Sequence, residues 1–336
     1  MRFNPLVEKF KSYTTVKGSY GIWLNKNENP FDLPPEFKWK VLKELEKIPF
    51  NRYPHITADP LREKLAVFLG VNIDNVVVGN GSDDLIPYII KIFDGDHIVI
   101  SSPTFEMYSF YAALEGIEVV DVPLDERFNL GNIEDHVEGA RVVFICSPNS
   151  PTGNVHSREK IISILETGVP VVLDEAYVEF CGSSNMDLLQ RFNNLIILRT
   201  LSKAFGLAGI RVGYAVASEE IINRILRIKS PFSMNALSMK IAEMMLENYE
   251  IVEDRVRFIV AERERLWKRF ADVAFPSEAN FLLFRADAYE FLLNRGIVVR
   301  QLSGRLKGMI RVTIGSKEEN DEFIRAFEEY LDGIRC

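Results

Sequence analysis

A lysine inside a small, glycine-rich apolar run is the first feature of this sequence that points to chemistry. Lys203 lies in Thr200-Leu201-Ser202-Lys203-Ala204-Phe205-Gly206-Leu207-Ala208-Gly209-Ile210-Arg211, whereas lysine ordinarily marks a solvated face. Taken singly, a surface lysine remains the plainer reading; an amine here acts as nucleophile or base only if a crevice and nearby cations suppress its charge. Three further polar clusters stand out. Asn80-Gly81-Ser82-Asp83-Asp84 precedes the apolar run LIPYIIKIF. Its free backbone N–H groups and the positive end of a helix suit a phosphate, although an ordinary turn capped by Ser82 or Asp83 has the same composition. Ser147-Pro148-Asn149-Ser150-Pro151-Thr152-Gly153 is a polar turn from which Asn149 can present an amide. Asp174-Glu175-Ala176-Tyr177 supplies a carboxylate and, three residues on, a phenol. A helix cap explains Asp174 nearly as well.

Each cluster follows a short run rich in Val and Ile. Those runs are VVVG (76–79), HIVIS (97–101), IEVVDV (117–122), VVFIC (142–146), VPVVLD (169–174), LIILRT (195–200) and VGYAVA (212–217). Near-continuous apolar strands with helical segments between them predict an α/β fold, with a mostly parallel central sheet sandwiched by helices. In such a sheet the loops after the strands converge on one crevice. An amine, an acid, a phenol, an amide and a phosphate cradle then share one edge, which is the set that an aldehyde cofactor with a pyridine ring and a phosphate requires.

The large domain is expected over 36–235 and a long connecting helix over 236–275. A smaller α+β domain follows over 276–336, with strands NFLLFRA (280–286), GIVVRQL (296–302) and MIRVTIG (309–315). The proline-bearing residues 1–35 read as an extended arm that joins the small domain.

The chain has 336 residues and a net charge of −8, a balance that argues against a protein whose task is neutralising nucleic-acid phosphates. An anionic ligand must therefore meet a local cluster of cations. The three cysteines are far apart and without C-x-x-C spacing, which indicates neither a disulfide framework nor a zinc site and fits a reducing compartment. The four histidines, His55, His97, His136 and His156, have no i, i+4 partner and are expected at the surface or in capping roles, with no metal. No run approaches the ~20 apolar residues of a membrane helix, so a cytoplasmic location is expected.

SPNSPTG, DEAY and TLSKAFGLAGIRVGY, in that order and spacing, resemble the cofactor motifs of the fold-type I aminotransferases, the aspartate aminotransferase superfamily. The resemblance covers nearly the whole chain. It implies pyridoxal 5′-phosphate as cofactor, held covalently by Lys203, whose amine then moves the substrate proton. It also implies that Asp174 pairs with the ring nitrogen and that Tyr177 and Asn149 bond the ring oxygen. Arg211, Ser202, Ser82 and the amides of Gly81 to Asp83 would hold the phosphate. Phe105 would stack on the ring, unless it is plain core packing. Tyr53, otherwise a surface aromatic, would reach the phosphate in the neighbouring subunit, making the protein a homodimer.

WLNKNENPFDLP, NRYPHITADPLREKLA, GIVVRQL and MIRVTIG are similar to the compact branch that exchanges the amino group of L-histidinol phosphate with 2-oxoglutarate. That resemblance implies Arg311 for the carboxylate and Arg300 for the substrate phosphate, with Asn149 also near the substrate. Two departures bear on this. The loop between the arginines is short and carries Arg305, a second candidate for the phosphate, and Asp84 stands where the branch commonly has glutamate. A lyase resembling threonine-phosphate decarboxylase, or an aminotransferase for aromatic amino acids, would use the same scaffold.

Overall fold

The computed structural model describes all residues except 1, 4, 11, 13–15, 17, 19 and 336, and for residues 9 and 335 the backbone only. Eleven strands occur among the described residues: β1 (Ile22–Leu24), β2 (Val76–Gly79), β3 (His97–Ile100), β4 (Glu118–Asp121), β5 (Ala140–Cys146), β6 (Val171–Asp174), β7 (Leu195–Thr200), β8 (Gly213–Ala217), β9 (Phe281–Phe284), β10 (Ile297–Gln301) and β11 (Ile310–Thr313).

Seven of them form one sheet in the order β2-β8-β7-β6-β5-β3-β4. The run from β4 to β7 is parallel, and β8 is antiparallel to both its neighbours. In β5 to β7, odd-numbered Val143, Ile145, Val171, Leu173, Leu195 and Ile197 enter one core, and even-numbered Val142, Phe144, Val172, Ile196 and Leu198 enter the other. A period of two with both faces apolar is the pattern of a sheet covered on both sides. The second core is closed by helices Ile86–Ile92, Met107–Leu114 and Glu219–Ile228. The last of these turns Ile221, Ile222 and Ile225 inward. At the sheet's margin β4 exposes Glu118 and Asp121, charges that blunt a free edge.

The strand order reverses between β3 and β5, so a crevice opens beyond their carboxyl ends. A four-stranded sheet, β1-β10-β11-β9, faces it. Here β1, from the N-terminal segment, pairs in parallel with β10, and the other two pairings are antiparallel.

Two expectations change. Residues 236–275 form two helices, Ala236–Leu246 and Glu250–Arg269, instead of one. At the break Asn248 Nδ2 donates to the Met244 carbonyl at 2.7 Å, and its own N–H turns back to the Met245 carbonyl. Local side-chain bonding of this kind competes with the helical ladder. His156 is buried, and its Nδ1 has no hydrogen-bond partner; burial alone holds its pKa down at about 4. His55 does act near a helix start, where its Nδ1 meets the Asp59 N–H at 3.5 Å.

Candidate active site

A cavity of about 180 Å³ opens where these loops meet, and Asp174, Tyr177, Ser202, Lys203, Arg211, Ser82, Asp83 and Phe105 line it. Asp174 ends β6 in the middle of the sheet and is buried. Its Oδ2 accepts the Tyr108 hydroxyl at 2.6 Å and its Oδ1 the Ala176 N–H at 3.1 Å. Burial raises the carboxyl from 3.8 to about 6, against the pull of these two bonds. A carboxylate held in this way favours a positively charged partner in front of it.

Lys203 follows β7, and its Nζ donates to the Lys26 carbonyl at 3.0 Å. Its pKa falls to about 8, first through desolvation and then through Arg311. The amine can thus lose its proton near neutral pH.

On the far side the chain comes close enough to itself that only glycine fits. Gly81 has φ +88, and a Cβ there would lie 2.3 Å from Arg211 Nη2; one on Gly213 would lie 2.1 Å from the Ser82 nitrogen. Arg211 is itself left-handed at φ 53, a conformation that costs a bulky residue about 1 kcal/mol or more. Its guanidinium lies 3.3 Å from Ser202 Oγ and 3.5 Å from Asp83 Oδ2. Ser82–Asp84 is a short 3-10 turn before the helix. No side chain caps it; Asp84 Oδ2 instead accepts the Asn80 N–H at 3.0 Å. The hydroxyls, the guanidinium and the glycine-opened turn form a donor set suited to a phosphate dianion.

Asn149 is placed differently from the expectation. Its Nδ2 donates to the Pro103 carbonyl at 2.9 Å and to Thr152 Oγ1 at 2.7 Å, and its Oδ1 accepts Thr104 Oγ1 at 2.9 Å. The amide is spent on holding the two loops together, and the next residue, Ser150, lines the cavity. Phe105 lies at the wall, edge-on to Tyr108 with ring centroids 5.5 Å apart.

Arg300 and Arg311 are directly opposed across β10 and β11, which puts both side chains on one face of the small sheet. Arg311 reaches Ser150 Oγ and the Asn25 carbonyl, each at 3.0 Å, and covers the Phe281 ring. Arg300 lies 3.9 Å from Glu106. Arg305 is engaged elsewhere, donating to the carbonyls of Leu124 and Asp125. Tyr53 is 83% exposed and stacks on Phe232, outside the residues that line the cavity.

Tyr108, Asn27 and Ser150 are site neighbours that sequence reading passed over. Tyr108 follows Phe105 at helical spacing and is core, and only its hydroxyl's partner, Asp174, ties it to the site. Asn27 Nδ2 donates to the Tyr177 hydroxyl at 2.9 Å across 150 positions of sequence, a pairing without local signal.

The architecture and the cavity define a class, and residues 20–327 match the model of the aminotransferase class I and II family. The chain belongs to that family. It is 54% identical to the histidinol-phosphate aminotransferase of Pyrococcus furiosus over 97% of both chains, and 55% identical to that of Thermococcus gammatolerans over 98% of both. It also superposes on the crystal structure of the histidinol-phosphate aminotransferase from Clostridium acetobutylicum with a TM-score of 0.86. That match has 26% identity and covers 93% of this chain and 99% of the other.

Proposed function

We propose that this chain is a pyridoxal-phosphate aminotransferase that passes the amino group of L-histidinol phosphate to 2-oxoglutarate, a step in making histidine. The observation that carries the reading is the opposed pair Arg300 and Arg311, the second bonded to the cavity residue Ser150, beside a cavity lined by an amine, an acid and donors suited to a phosphate. Likeness to full-length relatives bearing that name supports the choice of substrate.

The residues fit the cofactor. Arg211, Ser202, Ser82 and the turn opened by Gly81 would hold its phosphate, Asp174 its ring nitrogen, Tyr177 its ring oxygen, and Phe105 one face of the ring. When bound, the cofactor supplies an electron sink for the pair left behind by a departing proton. Lys203 Nζ would hold the cofactor and, once the substrate's amine has displaced it, would take and return that proton, a role that its pKa of about 8 as a free amine favours. Asp174, left with unused lone pairs, keeps a ring N–H in place. Arg311 meets the carboxylate of glutamate, and Arg300 the phosphate of histidinol phosphate. Arg305 is the weaker candidate because two carbonyls already occupy it.

A homodimer fits the apolar surface around Tyr53. Tyr53, Ile56 and Phe232 are exposed near one another, and a second copy would cover them and bring Tyr53 to its partner's phosphate site. The small sheet, with segments 1–35 and 276–336, is read as a separate small domain. Among the described residues no helix is long and apolar enough to cross a membrane, and a cytoplasmic setting suits the proposed metabolic role.

Single-turnover conversion of the cofactor, with each substrate separately, tests the assignment. Arg300→Ala should lower kcat/KM for histidinol phosphate by about 100-fold, the scale of one charge-assisted bidentate contact, and spare glutamate. Equal losses on both substrates would reject Arg300 as the phosphate partner. A wild-type protein that ignores histidinol phosphate but decarboxylates threonine phosphate would reject the substrate.

A further inference from the structure

The segment Asn25–Asn29 touches the site at several points, among them Arg311, Lys203 and Tyr177. The Asn25 carbonyl accepts Arg311 Nη2 at 3.0 Å, and the Lys26 carbonyl accepts Lys203 Nζ at 3.0 Å. Asn29 Nδ2 donates at 3.0 Å to the carbonyl of Ala204, next to that lysine. At the centre is Asn27, which is buried and left-handed at φ 56, a conformation asparagine tolerates better than other side-chain-bearing residues.

Asn27 is held from the small sheet and reaches out of it. Its N–H donates to Thr313 Oγ1 at 2.9 Å, Thr313 Oγ1 lies 3.2 Å from its Oδ1, and its carbonyl accepts Asn280 Nδ2 at 3.0 Å. Thr313 is two residues beyond Arg311 on β11. What remains is Nδ2, and that donates to the Tyr177 hydroxyl at 2.9 Å. An amide nitrogen can only donate, so the phenol oxygen is the acceptor and its own proton is free to point elsewhere.

We propose that Asn27 is a positioning residue for Tyr177: its amide turns the phenol proton into the cavity and makes the phenol's orientation depend on the small sheet that carries Arg311. The inference rests on the reading of Tyr177 as a partner of the cofactor's ring oxygen. A carboxylate that binds Arg311 acts on the same strand that holds Asn27 through Thr313. Occupancy of the substrate's anion site is thereby communicated to the phenol through three hydrogen bonds. The other polar groups around Tyr177 are Arg311, Ser150 and Cys146, with Lys203 Nζ 5.9 Å from its ring centroid. Ser150 hydrogen-bonds the phenol and in turn accepts Arg311 Nη1 at 3.0 Å, so β11 also reaches Tyr177 by that path, and the variants at Asn27 read the amide path alone.

The test labels the full-length protein with tyrosine enriched at the ring carbon bearing oxygen and follows Tyr177 by carbon NMR, the resonance being assigned with Tyr177→Phe. Asn27→Asp keeps the shape but offers only acceptors. The phenol must then donate to it, and the added negative charge should move the Tyr177 titration to higher pH. The kcat for histidinol phosphate should fall about tenfold, the scale of one neutral hydrogen bond, with KM changed less than about twofold. Asn27→Gly, which suits the left-handed backbone and removes the donor, should move the resonance in the same direction by less, and it stands in if the aspartate variant does not fold. A Tyr177 resonance and titration unchanged in either folded variant would overturn the proposal, even if thermal stability drops. If the resonance moves as expected while the wild-type protein transaminates nothing, the hydrogen bond is upheld and the proposed function fails.

Discussion

Replacing Asp174 by asparagine should slow the enzyme and stabilise the cofactor-free protein at the same time. The carboxyl sits at about 6 instead of 3.8 because it is buried. At about 1.4 kcal/mol per pH unit, keeping it ionised in the fold costs about 3 kcal/mol. Its folded pKa lies above its unfolded one, so the native state binds the extra proton. The stabilising contribution is therefore full below pH 3.8 and is lost as the pH rises through about 6. Asparagine has no such slope. Urea unfolding of the cofactor-free proteins should show the variant gaining on the wild type by about 3 kcal/mol between roughly pH 3 and pH 8. The same substitution removes the charge that a protonated ring nitrogen needs. A loss of about 3 kcal/mol at that contact slows transamination by about 100-fold. A stability difference independent of pH, or near-normal turnover in a folded Asp174→Asn protein, would refute the reasoning.

Mixing an inactive Lys203→Ala chain with an impaired Tyr53→Ala chain should restore part of the activity in heterodimers. No recovery after verified subunit exchange would exclude a shared site. Gly81→Ala places a methyl group where Arg211 Nη2 lies, 2.3 Å from the ideal Cβ, and forces alanine into a left-handed backbone. Cofactor dissociation, followed by fluorescence quenching, should weaken at least about tenfold, the scale of one charged hydrogen bond. An unchanged dissociation constant would mean that Arg211 does not need its present position.

Composition and periodicity locate the seven strands of the α/β sheet, because short apolar runs rich in Val and Ile, spaced by helical segments, are what strands covered on both faces require, although the edge strand β4 is exposed at both ends. VVVG and LIILRT coincide with β2 and β7 to the residue, and the other runs lie within two. Lys203, Asp174 and Tyr177 are legible as strand-end loop residues, Ser202 and Arg211 only through the motif resemblance, and all five line one cavity. What the sequence left open depended on which way a side chain turns or on a partner far along the chain. Asn149 and Ser150 are neighbours in one polar turn, and only the folded turn decides that the first binds Thr104, Pro103 and Thr152 while the second meets the cavity. Tyr108 reads as core in a helix until its hydroxyl is found on Asp174, and Asn27 reads as loop until it is found on Tyr177. His156 looked like a polar surface residue and is buried. Hydrophobic pattern is written locally and repeats along each element. A single hydrogen bond between distant segments leaves no periodic trace, so only tertiary packing decides it.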